Sequence, residues 1–135
     1  MASIVLIGAD TALLEGLAQT LGGCGHRAVL APTVADAIDA AVIARPLVVV
    51  VDRALATRGS GLLRVRLAPG GKFVLYHTDG ETAPALPASL QRAAMADLTL
   101  PLERHRLVTL VQHVEDRARR AGRTEAPTPP EHRAI

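Results

Sequence analysis

The run Leu47-Val48-Val49-Val50-Val51-Asp52 decides the fold. Four consecutive β-branched residues leave no polar face for solvent, so this strand is covered on both sides and sits in the middle of a sheet. At its carboxyl end it delivers one carboxylate, Asp52. Upstream, residues 4–7 form a shorter apolar run that stops at Gly8. Asp10 and Thr11 then offer caps to a helix whose apolar positions Leu14, Leu17, Ala18 and Leu21 recur at helical spacing. Gly22, Gly23 and Gly25 end that helix. Residues 27–31 form the next strand, and a second helix places Val34, Ala37, Ile38, Ala41 and Val42 on one face before Arg45-Pro46 closes it.

Downstream of Asp52, residues 53–60 read as a loop and 61–67 as a short helix, with a turn at Pro69-Gly70-Gly71. A fourth strand spans 72–78. Pro84 and Pro87 confine a fourth helix to about two turns after Pro87. A fifth strand over 97–100 meets Pro101, and a last helix begins near Glu103 with Leu107, Leu110, Val111 and Val114 as its buried stripe, continuing through Ala118 and Ala121. Strict alternation of strand and helix predicts an α/β domain over residues 1–122: a doubly wound, five-stranded parallel sheet with right-handed crossovers. Residues 123–135, with Pro127, Pro129 and Pro130, read as a disordered tail.

Composition removes several classes of function. At 135 residues the chain has room for one core and not for a two-domain enzyme. Hydrophobic residues are 49% and charged residues 21%, too apolar for disorder, yet no apolar run is long enough to cross a bilayer. Aromatics are 1%, which leaves nothing to build a base-stacking surface. Fifteen basic against thirteen acidic residues give +2, too little for the dense basic stripe of a DNA binder. Nucleic acid and membrane partners are therefore not expected. Cys24 is the single cysteine, so neither an intramolecular disulfide nor a thiolate metal cage can form. That, with no basic leader ahead of the first strand, points to the cytoplasm.

The strand ends carry Gly8, Ala9 and Asp10, then Asp52, then Thr78 and Asp79, then Leu100. This set resembles the receiver domain of bacterial response regulators, the chemotaxis-type, flavodoxin-like fold, across residues 3 to about 122. The resemblance implies strand order 2-1-3-4-5, with Asp52 as phosphoacceptor and Thr78 as the hydroxyl residue of the fourth strand. The twenty-two residues from Thr78 to Leu100-Pro101 match the family spacing to its Lys-Pro pair, and Gly61-Leu62 resembles the Gly-Leu pair that follows the acceptor. It also implies a cis bond between Leu100 and Pro101. The departures are as specific. Gly8 and Ala9 stand where the metal-binding acidic pair belongs, Leu100 replaces the lysine, Asp97 replaces the switching aromatic, Ala56 replaces a proline, and Asp79 replaces a small residue.

Phosphoryl transfer to a carboxylate brings two anions together, so its catalysis is charge neutralisation and positioning by a divalent ion and a cation. Repulsion between unit charges about 4 Å apart is of order 4 kcal/mol at an effective dielectric near 20. With one strand-end carboxylate and no lysine, magnesium binding is expected to be weak or absent and no cofactor is expected. The chain therefore reads as a pseudo-receiver with no enzymatic activity. A rescue site built from Asp10, Asp52 and Asp79 is the competing reading for a hard cation. Arg53, next to Asp52, is a candidate to neutralise that carboxylate, whereas Arg58, Arg64 and Arg66 read as a solvated face. Five scattered histidines do not have ligand spacing.

The function these residues imply is a stand-alone receiver-like regulator in a two-component or phosphorelay pathway, acting by contact with a histidine kinase or a downstream effector. The last helix offers Ala118 and Ala121 as a small-residue seam beside Arg117, Arg119 and Arg120, the expected interface for a partner or a homodimer. The alternative within the class is a phosphorylatable regulator using Asp52. From another class, a nucleotide-binding Rossmann-like domain resembles the first strand and turn, but Ala12 and Leu14 stand where its glycines belong, and the second strand ends in Ala31-Pro32-Thr33 without an acid.

Overall fold

The computed structural model describes residues 2–58, 61–78 and 87–125, with side chains described outside 57–58 and 122–125. The elements run β1 (Ser3–Ile7), α1 (Thr11–Gly23), β2 (Arg27–Ala31), α2 (Val34–Ala44), β3 (Val48–Asp52), α3 (Arg53–Arg58), a 3-10 turn (Leu62–Arg64), β4 (Lys72–Thr78), α4 (Ala88–Ala93), β5 (Ala94–Leu100) and α5 (Arg104–Glu125). All strand pairs are parallel, in the order β2-β1-β3-β4-β5. This is the doubly wound parallel sheet that the alternation of runs predicts, in the strand order that the resemblance implies.

The valines of β3 explain the architecture. Val48 and Val50 enter one core with Ile4, Leu6, Leu14, Leu17, Leu107 and Val111, the side covered by α1 and α5. Val49 and Val51 enter the opposite core with Val5, Ile7, Ala37, Ala56, Leu62 and Leu90, the side covered by α2, α3 and α4. All four are buried. Each such side chain contributes about 1.5–3 kcal/mol by leaving water, which is why a strand without a polar face must be central. The chain reverses its winding between β1 and β3, where Ile7 pairs with Val51, so Gly8 and Asp52 leave the sheet side by side.

Local signals fix the helix starts. Asp10 Oδ1 accepts from the Leu13 amide at 3.1 Å and Thr33 Oγ1 accepts from the Asp36 amide at 3.1 Å, each satisfying one amide of a helix's first turn. Leu14, Leu17 and Leu21 are buried as their spacing predicts, and Ala18 packs at the margin.

Four details correct the sequence reading. Helix α3 starts directly after β3, where a loop is expected, because Ala54, Leu55 and Ala56 favour helix and burying Ala56 repays ordering them. The stretch read as a helix over 61–67 is only the 3-10 turn, with Leu62 and Val65 buried. Strand β5 begins at Ala94, three residues before the expected start, since a bulge between Phe73 and Val74 lets Ala94 and Ala96 join the ladder. In α2, Ala37 and Ala41 are buried, but Val42 is 61% exposed instead of facing the core.

The bond between Leu100 and Pro101 is cis, as the resemblance implies. Helix α5 reaches Glu125, past residue 122; residues 126–135, Asp79 and Pro84 lie outside the described residues. No helix among the described residues is long and apolar enough to cross a membrane.

Candidate functional site

The carboxyl ends of β1, β3, β4 and β5 converge on one edge of the sheet, where Gly8, Asp52, Thr78 and Leu100 emerge. Thr78 and Leu100 are partners in the β4/β5 register, and Asp52 is the partner of Tyr76 in the β3/β4 register. Asp52 is partly buried, and its Oδ1 accepts from the Ala54 amide at 2.9 Å. The carboxylate thus also caps the start of α3, the local bond that a strand-end Asp makes two residues ahead. Thr78 is partly buried and Leu100 fully buried in the α1/α5-side core.

Gly8 is buried, and its surroundings show why glycine stands there. A Cβ at residue 8 would lie 2.2 Å from Tyr76 Oη and 3.5 Å from Leu14 Cδ1. Tyr76 belongs to β4 and Gly8 follows β1, with β3 between them, so the tyrosine ring reaches across the end of β3 to close the space beside Asp52. A side chain at the position where the resemblance places the first metal-binding acid would therefore have to displace the Tyr76 phenol. Ala9 and Asp10 are exposed, and Asp10 is engaged as the cap of α1. No group of three potential ligands that could hold a metal ion occurs among the described residues, and Asp79, the third member of the alternative acidic site, lies outside them.

On the other face of the same edge lies a polar chain absent from the sequence reading. The Arg53 guanidinium donates to and ion-pairs with Asp97 Oδ2. Asp97 Oδ1 lies 3.2 Å from His77 Nδ1, and His77 Nε2 lies 3.1 Å from Thr99 Oγ1. The amide of Thr99 donates in turn to Glu103 Oε1 at 2.8 Å, and Arg106 donates to Glu103 Oε2 at 3.0 Å. The Thr99 amide, and after it Arg106, hold the Glu103 carboxyl below its ordinary value of 4.5. Alternation alone places His77, Asp97 and Thr99 on one face, but nothing in the sequence pairs residues 53 and 97. Asp97, which stands at the position of the switching aromatic, is held by a cation from the end of β3. Arg53 reaches this partner on β5, forty-four residues away.

The arginines of α5 are also engaged within the chain. Arg119 lies 3.3 Å from Glu115 Oε1 and 3.9 Å from Asp116 Oδ1, and Arg120 Nε donates to the Asp116 carbonyl at 3.4 Å. Ala118 is half-buried and faces Gly70, whose own Cβ position would be 3.5 Å from Ala118 Cβ. Of the expected seam, Ala121 and Arg117 are the exposed members without such contacts.

No protein-family model matches the chain, and no curated protein matches it. Solved structures do. A response regulator receiver domain from Clostridium thermocellum is 17% identical with TM-score 0.69, over 88% of this chain and 98% of that one. A CheY-like receiver domain from Methanospirillum hungatei is 21% identical with TM-score 0.68, over 89% and 98%. The pseudo-receiver domain of the CikA protein is 17% identical with TM-score 0.59, over 84% and 97%. The chain has the flavodoxin-like fold of response-regulator receiver domains.

Proposed function

We propose that the protein is a receiver-like signalling module that acts by protein-protein contact in a two-component or phosphorelay pathway and does not switch by ordinary aspartyl phosphorylation. It is not an enzyme in this reading, requires no cofactor, and works in the cytoplasm. The observation that carries the proposal is the closure of position 8 by Tyr76. A magnesium ion at Asp52 would need further oxygen ligands from the end of β1, and a side chain there would start where the phenol oxygen now lies. The second missing charge is the lysine, replaced by a leucine that is buried in the hydrophobic core. An incoming phosphoryl group would meet the Asp52 carboxylate without the magnesium site and the lysine that the resemblance calls for, the two counter-charges on which such transfer depends.

The partner in this reading is a histidine kinase or a downstream effector, and the exposed end of α5, at Arg117 and Ala121, is a contact surface for it or for a second copy. Titration of the ¹⁵N-labelled protein with beryllofluoride and magnesium tests the reading. No perturbation of the Asp52, Thr78 and Gly8 amides is expected. Saturable shifts centred on Asp52 would instead make the protein a phosphorylatable receiver with a relaxed pocket.

A further inference from the structure

We propose that the last turn of α2, at the amino edge of the sheet, is a docking site for an acidic protein segment carrying aliphatic side chains. This site is separate from the Asp52 crevice and does not depend on the reading of that crevice.

Two hollows flank the turn. One, of about 380 Å³, is lined by Arg27, Val29 and Ile43 among others, and one of about 570 Å³ by Val42, Arg45, Arg66 and Leu67 among others. Ile43 is 88% exposed and Val42 61%. Adjacent β-branched residues on a helix surface cost helix propensity and gain nothing from the core, so folding does not account for them. Arg45 caps the helix with φ 47° and ψ 65°, the only residue other than glycine with positive φ among the described residues. Glycine or asparagine adopts this conformation at little cost, whereas the Cβ of an arginine strains it. That strain is kept at the position that places a guanidinium on the rim.

The charge pattern selects the occupant. No acidic residue lines either hollow; Asp39, one turn earlier on α2, is not among their linings. Arg27, Arg45 and Arg66 have no acidic partner among the described residues, a state they share with Arg64, Arg92, Arg104 and Arg117; what distinguishes the three is that they line the hollows beside Val42 and Ile43. Three unpaired guanidiniums around an exposed Val-Ile pair complement a segment that presents carboxylates beside leucine or isoleucine. A second copy of this face would oppose like charges across the two-fold axis, so it is not the occupant.

The probe is a labelled synthetic peptide with leucine at i and i+4 positions and glutamate elsewhere, compared with the same peptide carrying lysine for glutamate. The acidic peptide is expected to bind and to shift the amides of residues 27, 42, 43, 45 and 66, with the lysine peptide at least about tenfold weaker. Ile43→Asp is expected to weaken binding about tenfold. Arg45→Gly separates recognition from folding: it should weaken binding about fivefold while leaving Tm unchanged or raised, because the left-handed strain is relieved. Absence of binding, equal binding of both peptides, or a fall in Tm for Arg45→Gly with binding intact would each overturn the proposal. So would binding confined to vesicles of phosphatidylglycerol, which would make the face a lipid surface, or to inorganic phosphate.

Discussion

The backbone at Gly8 and the phenol of Tyr76 share one space: a side chain at residue 8 would place its first carbon 2.2 Å from Oη and 3.4 Å from Cζ. The two residues come from strands that are not neighbours, and together they close the edge of the sheet beside Asp52. Gly8→Ala should therefore destabilise the protein by about 1–3 kcal/mol through overpacking. In the Tyr76→Phe background the oxygen is gone and the remaining contact is an ordinary one, so most of that cost should vanish. A double-mutant cycle by urea unfolding reads the coupling directly, and additivity of the two substitutions would refute the shared space.

Restoring the lysine of the resemblance should fail for a related reason. Leu100 is wholly buried in the core under α1 and α5. Leu100→Lys would trade an apolar group for an ammonium without a partner, costing about 3–5 kcal/mol. Leu100→Met, similar in volume, should cost less than about 1.5 kcal/mol. Thermal denaturation of the two variants checks the contrast.

Asp10 is the nearest acid to the position of the missing pair, but its carboxylate caps α1 through the Leu13 amide. Asp10→Ala should cost about 1 kcal/mol. The loss should be the same with and without millimolar magnesium, since capping does not involve a cation. A magnesium-dependent difference between the wild type and the variant would assign Asp10 to a metal site.

Glu103 joins β5 to α5 and sets a pH dependence. Its pKa is depressed by the Thr99 amide and by Arg106. A carboxyl whose pKa is lower folded than unfolded stabilises the fold above the unfolded value, near 4.5, and loses that contribution as pH falls through the folded value. Urea midpoints should therefore drop on acidification below about pH 4.5. Glu103→Gln should flatten that limb. An unchanged acid limb in the variant would show that the bond to Thr99 carries no linkage.

The parts of the fold set by local chemistry were legible in the sequence. The valine run of β3 needs two covered faces, the leucines of α1 recur at helical spacing, and Asp10 stands where a cap is needed, so the strand and helix order follow from residues close in the chain. Local pattern misleads where distant packing overrides it. Val42 counts as periodic in α2, yet at about 100° per residue it lies well round the helix from the line of Ala37 and Ala41 that meets the sheet. Residues 53–58 form a helix because Ala56 finds a pocket in the core. At the site, the resemblance singles out Asp52, Thr78 and Leu100, which lie at the same end of adjacent strands. The tyrosine that closes position 8 and the ion pair between Arg53 and Asp97 each link strands far apart in sequence, and no pattern of spacing encodes such contacts.

In the function proposed above, the crevice at Asp52 does not complete phosphoryl transfer. Intact-mass measurement after incubation with magnesium and a small phosphodonor such as acetyl phosphate tests it most directly. No phosphoryl adduct is expected. A single adduct that disappears in Asp52→Asn would contradict it.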